Sequence, residues 1–475
     1  MRLPLAGLVL GLITVVAALS ATGNKLLVIA EDAADKDKYS QFLAGVEKRG
    51  FQISHHTPKD ASLALFEHGV PAYDHLLLLP TKAKSLGQAL TPNLIVDFVN
   101  AGSNVLLALS STVGVPIAVN NLLAELDVTL ASEKNSLVVD HFQHDARSAA
   151  EDHDVLVLNT PDFTGKNVKN FFAGKSASGG WIALPRAVGQ VLGNESPLLQ
   201  SIIKAPSTSY MRNPKEEADS NEEPFATGAQ ISLVTAFQAR NSARFTILGS
   251  AEALEDKWLE AKLEVQLPGK GQKSVIPENK LFAEQVSAWT FKEAGVLKVG
   301  QIRHYLNEGV QKGLKNASGV PAFDVNPEIY RIKNDVHYEI ELSEWVTDRW
   351  APFAVPAGDA LQLEFSMLSP FHRLDLIKQA DTASSTVYAV DFKLPDQHGI
   401  FNFFVEYRRP FYTVVEEKNT VSVRHFAHDE WPRSFVISGA WPWIGGIWVT
   451  ITGWILFVAL WLYSKPAAEK NLKRL

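Results

Sequence analysis

Few residues in this chain are spaced for chemistry. Phe171–Ser176 reads FFAGKS, like the end of a phosphate-cradling glycine loop, but that loop needs glycine five residues before Gly174, where Lys169 stands. His141 and His144 are three apart, flanked by Asp140 and Asp145, and could face one way from a helical turn to bind a metal. They have no third ligand in view, so a polar surface loop is the preferred reading. His425, His428, Asp429 and Glu430 form a second cluster near the C-terminus. A zinc site there competes with a polar collar beside a membrane, and the collar is preferred. Neither GxSxG nor HExxH occurs. The scattered acidic residues neither reveal nor exclude the carboxylate pair of a glycosidase. With no cysteine in the chain, thiol nucleophiles, thiolate metal sites and disulfide redox chemistry are excluded within it. No catalytic, cofactor or metal residue is assigned.

The elements that would position any site divide into three parts. From Lys25 the pattern alternates strand and helix. Leu26–Ala30, Leu76–Leu79 and Val105–Leu109 are continuous apolar runs, the mark of strands covered on both faces. Between them, Tyr39–Arg49 has helical periodicity through Phe42, Leu43 and Val46, and Thr91-Pro92 opens a helix through Ile95, Phe98 and Val99. Ile231–Ala236 and Arg244–Leu248 are late strands, and Asn279–Glu293 is an amphipathic helix. This predicts an α/β domain over 24–300 with an open parallel sheet. Such sheets bind ligands beyond the carboxyl ends of their strands, which here carry Glu31, Asp32, Thr81, Ser110 and Ser111. These are the ligand-facing candidates. The first turn, AEDAADKD, lacks the glycine fingerprint of a dinucleotide site, and ordinary strand-end polarity is the simpler account.

After Gly300 the period changes to two. Val336, Tyr338, Ile340 and Leu342 alternate with polar residues, as do Leu361–Met367, Tyr388–Phe392 and Phe401–Tyr407. Strands at this spacing predict an antiparallel β-sandwich over 301–438. Asn316-Ala-Ser318 lies in the Gly/Ser-rich connection before it and is a glycosylation candidate, whereas Pro197 follows the sequon Asn194-Glu-Ser196.

Trp443–Tyr463 contains no charge, and its length of about 31 Å suffices for one helical membrane crossing. The predicted transmembrane helix covers 441–463, with Trp441, Trp443, Trp461 and Tyr463 at its edges. One basic residue, Arg433, lies in the fifteen residues before Trp441, against Lys465, Lys470, Lys473 and Arg474 in the twelve after Tyr463. The positive-inside rule then places the tail 464–475 in the cytosol and the bulk of the chain on the other side. Met1–Ser20 reads as a secretory signal peptide: a basic start, an apolar run and small residues at Ala18 and Ser20. Gly446, Thr450 and Gly453 fall at i, i+4 and i+7, a small face where another helix could approach. The net charge of −7 gives no nucleic-acid surface.

Several stretches together resemble one family, the 48 kDa non-catalytic subunit of oligosaccharyltransferase (dolichyl-diphosphooligosaccharide–protein glycosyltransferase; the Wbp type in fungi). They are Arg49-Gly50-Phe51, Val139-Asp140-His141, Ser207–Tyr210, Gln238–Arg244 before Gly249-Ser250, and Trp289–Gly300. Leu361–Phe365, Ser369-Pro370-Phe371, Arg373, Phe392–Asp396, Gly399, Phe401, Tyr407-Arg408, Val421–Arg424, His428 and Arg433 continue the likeness. It runs from about Lys25 to the span. Two positions depart from the pattern: Pro410-Phe411 replaces a glycine, and Leu472 stands where a dilysine retrieval signal would pair a lysine with Lys473.

The resemblance implies an accessory subunit, resident in the endoplasmic reticulum membrane, of the complex that transfers a preassembled oligosaccharide from dolichyl diphosphate to Asn of Asn-x-Ser/Thr. It also implies an amidotransferase-like N-terminal fold. The implied partners are a multi-span catalytic subunit, a ribophorin-type subunit and a small defender-against-death-type membrane subunit, besides membrane lipid. Independently, a single helix cannot enclose a site for a lipid-linked diphosphate and its metal. The alternatives are a self-sufficient, membrane-anchored luminal hydrolase or transferase using the strand-end residues, and a cell-surface receptor, which would ordinarily carry disulfides.

Overall fold

The computed structural model describes residues 20–465 except 84–85, 134, 150, 160–179, 194–195, 215–222, 268–270, 310–311, 313–323 and 432–439. The leader to residue 19, FFAGKS, Lys169, Asn194, Asn316 and the tail from 466 thus lie outside the described residues.

Continuous apolar runs build the centre of the N-terminal unit. Gln52–His56, Lys25–Ile29, His75–Leu78, Asn104–Ala108 and Arg244–Leu248 lie side by side in that order, all parallel. Successive side chains along a strand point to opposite faces. Leu26 and Val28 accordingly join a core with Phe42, Val46, Phe282 and Trp289, while Leu27 and Ile29 join one with Ile95, Phe98 and Leu122. Helices therefore cover both sides. The helix Pro92–Asn100 starts as its sequence dictates, the Thr91 side-chain oxygen accepting from the Leu94 N–H at 3.4 Å.

The sheet is mixed rather than wholly parallel. Ile231–Gln238 runs antiparallel to Arg244–Leu248, and Gln190–Leu192, Leu199–Lys204 and Val128–Thr129 extend that side in antiparallel pairs. Only residues 239–243 join Ile231–Gln238 to Arg244–Leu248, too few for the crossover that a parallel pair requires. Burial on both faces records cover and carries no information on strand direction. The helix expected over 279–293 stops at Thr290, because Lys292 takes a left-handed φ of 56°.

Beyond it, two five-stranded sheets share one core. The first holds Leu297–Leu306, Asp335–Val346, Arg349–Pro352, Thr386–Lys393 and Ile377–Asp381. The second holds Ile329–Arg331, Val415–Arg424, Gly399–Tyr407, Gln362–Ser366 and Pro370–Asp375. Pairing is antiparallel except for Ile329–Arg331 beside Val415–Arg424. The alternating residues face inward as their period requires: Val336, Tyr338, Ile340 and Leu342 are fully buried with Phe365, Phe401, Phe403 and Val405. Tyr338 of one sheet stacks on Phe403 of the other at 5.3 Å.

Strand directions give this unit two distinct ends. The chain enters at Leu297, beside the start of Val415–Arg424, since the Leu297 N–H donates to Thr413 Oγ1 at 2.6 Å. It leaves at Arg424, about 30 Å away along a ten-residue strand. The helix Ala440–Tyr463 follows, 24 residues with an 18-residue stretch of mean hydropathy 1.8, long and apolar enough to cross a membrane.

Candidate functional site

Two of the strand-end residues, Glu31 and Ser111, bond backbone groups. Glu31 accepts from the Lys82 N–H at 2.6 Å, and Asp32 is exposed and makes no capping bond to the helix it precedes. Ser110 bonds Thr112 at 2.8 Å, while Ser111 donates to the Arg186 carbonyl at 2.9 Å. The cleft between them, lined by Leu78, Thr81, Leu86, Leu109, Ser110 and Val115, encloses about 20 Å³, room for about one water. Next to it lies a charged group that sequence inspection missed. Arg186, at a left-handed φ of 44°, forms a two-pronged ion pair with Glu252. That pairing raises the Arg186 pKa, while burial raises those of Asp154 and Glu255 nearby. The arrangement fixes the loop over the sheet end, and it brings Ser111 to a backbone carbonyl.

His141 and His144 lie on a loop of turns and isolated bridges, not on a helical turn. Their companions are rings: His153 packs at 4.6 Å from His141 and 4.4 Å from His144, and Tyr210 hydrogen-bonds His141 at 3.1 Å. The neighbouring carboxylates are committed elsewhere. Asp140 accepts from the Phe142 and Gln143 N–H groups and from Thr208, and Asp145 accepts from Ser148 and from the Glu264 N–H. Burial lowers the His144 pKa. Among the described residues no group of three or more metal-ligating side chains converges. At the other cluster Glu430 accepts both prongs of Arg424, at 2.7 and 2.9 Å, which with the Ala427 N–H holds its pKa at about 2. His425 stacks on His398 at 4.1 Å instead.

The densest polar constellation sits where the α/β unit meets the two-sheet unit. Arg244 is fully buried. Its guanidinium donates to the carbonyls of Trp289, Ala294 and Gly295 at 2.5, 2.7 and 2.7 Å, and lies 4.8 Å over the Trp289 ring. Trp289 is in the last turn of Asn279–Thr290, where backbone carbonyls lack helical partners and the helix dipole is negative. Burial alone lowers the Arg244 pKa to about 9, and burial with the nearby arginine lowers that of Lys292 to about 8.

From the other unit, the Phe411 carbonyl accepts from Trp289 Nε1 at 3.0 Å and the Tyr412 carbonyl from Gln238 at 2.6 Å. A side chain at Gly295, φ 66°, would strike the Phe411 oxygen, so only glycine fits. Behind Arg244 runs a chain of single-direction bonds. Asn104 accepts from the Arg244 N–H and donates to His75 Nδ1 at 3.1 Å, and His75 Nε2 donates to the Gly23 carbonyl at 3.1 Å. This network fixes the neutral tautomer. Arg244 and His75 carry no spacing motif, because their partners are backbone carbonyls and an amide.

On the terminal helix, Gly446 and Thr450 line a shallow apolar groove with Pro442, Trp443, Ile447 and Ile451. Thr450 donates to the Gly446 carbonyl at 2.9 Å, and a β-carbon added at Gly446 or Gly453 would meet nothing within 4 Å.

Comparison with known proteins accounts for both units. Residues 17–293 match the family model described as OST48, N-terminal domain, and residues 314–465 match the OST48 middle domain. The chain is 31% identical over 448 residues to the dolichyl-diphosphooligosaccharide–protein glycosyltransferase subunit wbp1 of Schizosaccharomyces pombe, covering 94% of this chain and 93% of that one. It is 34% identical to the corresponding 48 kDa subunit of Caenorhabditis elegans (95% and 94% covered) and 29% identical to that of Arabidopsis thaliana (94% and 94%). The chain belongs to the OST48 family, the 48 kDa subunits of dolichyl-diphosphooligosaccharide–protein glycosyltransferase.

Proposed function

We propose that this chain is a non-catalytic scaffold of the oligosaccharyltransferase complex in the endoplasmic reticulum, a type I subunit with its two folded units in the lumen. The carrying observation is the match along 94% of the chain to relatives that are named as subunits of that glycosyltransferase. The polar groups support it. Arg186 and Glu252 pair with each other, Ser111 bonds a carbonyl and Arg244 bonds three, so the charged and hydroxyl groups set backbone geometry. Supporting a β-sandwich in the second unit are the rings that stack between its two sheets. The active site belongs to a multi-span partner, which can enclose a lipid-linked diphosphate and its metal. An amidotransferase-like N-terminal domain faces luminal neighbours, and a ribophorin-type and a small defender-against-death-type subunit complete the surroundings.

Purification of the tagged full chain in mild detergent tests this. Multi-span proteins should co-purify, and the preparation should transfer glycan from lipid-linked oligosaccharide to an Asn-x-Thr peptide. Activity should be absent from the chain once partners are stripped. A chain that elutes alone, or one that stays active alone, would sink the proposal.

A further inference from the structure

We propose that the hairpin tip Met367–Ser369 dips into the bilayer surface and gives the luminal part a second membrane contact. The proposal rests on the spanning role of Ala440–Tyr463 and adds a contact outside that helix.

Leu368 is 98% exposed, which no other large apolar residue approaches among the described residues of the two-sheet unit. Its setting is rigid. Ser366 pairs with both Pro370 and Asn402, Phe371 packs edge-on against the buried Phe401 at 5.4 Å, and Met367 Sδ closes against Gly399. Ile400, 64% exposed, starts the neighbouring strand at the same end. Leu368, Ile400 and Phe371, all exposed toward one end of the unit, offer more apolar surface than a single scattered side chain and mark that end for an apolar neighbour.

Strand direction identifies that neighbour. Gly399 pairs with Val423, so the tip lies at the end of the unit from which the chain leaves at Arg424, opposite the α/β joint. Trp431, 56% exposed, remains at that end through its ring contact with Phe426 at 5.3 Å. Eight residues, 432–439, separate it from Ala440, a reach of at most about 32 Å even if extended. The end that bears Leu368, Ile400 and Trp431 thus faces the bilayer that Ala440–Tyr463 enters. Leucine and tryptophan are the residue types that settle at an interface. Toward this end Lys333 pairs with Asp396 at 2.7 Å and Lys393 with Asp335 at 3.8 Å. The contact proposed is an apolar one, which does not call for anionic lipid.

The cysteine-free chain makes the test direct. Single substitutions Leu368→Cys, Asp348→Cys at the opposite end and Leu456→Cys within the span each accept one environment-sensitive fluorophore on the full chain in phosphatidylcholine vesicles. The tip label should shift to the blue and lose about half its intensity or more to a quencher on the lipid acyl chains, as for a group buried about 5–10 Å into the interface. Salt should not change this, and the Asp348→Cys label should remain unquenched. If the tip label instead stays as open to aqueous iodide as the Asp348→Cys label, the membrane contact is wrong and the tip belongs to a protein neighbour. An unquenched Leu456→Cys label would overturn the span and the proposal with it.

Discussion

His75 is held neutral by burial, which outweighs the pull of the Gly23 carbonyl on its Nε2 proton. Burial takes its pKa down to about 3, far below the usual imidazole value, and Asn104 points a donor at the nitrogen that a second proton would occupy. His304, bonded to Tyr330 at 2.8 Å, is lowered by burial to about 4. Below pH 6.5 the unfolded chain takes up protons that these two rings refuse, so stability falls as pH drops from about 6.5 toward their folded values. His337 works in the opposite sense. Burial pushes its pKa down, but Glu339 and Asp391 outweigh burial and raise it, so its contribution is full in acid and fades as pH rises through the raised value. His75→Gln keeps a donor and an acceptor while removing the titration. The slope of unfolding free energy against pH between about 4 and 6 should then flatten by about 1.4 kcal/mol per unit. Denaturant unfolding at stepped pH measures it, and an unchanged slope would show that His75 is not held neutral.

At the level of elements, legibility in the sequence followed physical constraint. The membrane helix was plain because lipid demands that one segment satisfy its own backbone. The period-two strands from Val336 onward were plain because one face must be buried. Strand direction was hidden: Ile231–Gln238 is as apolar as its parallel neighbours, and only the five-residue connection reverses it. Glu31, Asp32, Ser110 and Ser111 follow the strands Lys25–Ile29 and Asn104–Ala108, yet the bonds of Glu31 and Ser111 are not legible in the sequence, because backbone partners leave no mark there. On the terminal helix the small face has a definite chemistry. Thr450 gives its hydroxyl proton to Gly446 within the helix, so Gly446, Thr450 and Gly453 offer close approach rather than a polar bond. Gly446→Leu with Gly453→Leu should cut recovery of co-purifying spans by about threefold or more. Trp448→Leu, on the opposite side, should leave recovery unchanged. Equal recovery from all variants would remove the packing role.

For the whole molecule, the decisive interaction is the one that makes two folded units behave as one body. The α/β unit and the end from which the chain leaves at Arg424 lie at opposite ends of the two-sheet unit, and the Arg244 joint sits where the two units meet. That joint is a buried cation held by carbonyls, with no carboxylate within its bonded set. Deleting the guanidinium leaves three buried acceptors without their donor, while the Phe411 and Tyr412 carbonyls keep their bonds to Trp289 and Gln238. Arg244→Met preserves volume, so the loss isolates the bonds and the contact over Trp289. It should cost about 3–5 kcal/mol. The larger consequence is loss of cooperativity: the single unfolding transition should split, with the two-sheet unit and the α/β unit melting apart, because independent units violate two-state behaviour. Differential scanning calorimetry in detergent would show this as one heat-absorption peak or two. Arg240→Met, exposed on the loop just before it, should melt like the parent. One unshifted, unsplit transition for Arg244→Met would mean that the guanidinium is not needed to join the units, the Trp289–Phe411 and Gln238–Tyr412 bonds and the apolar contacts sufficing.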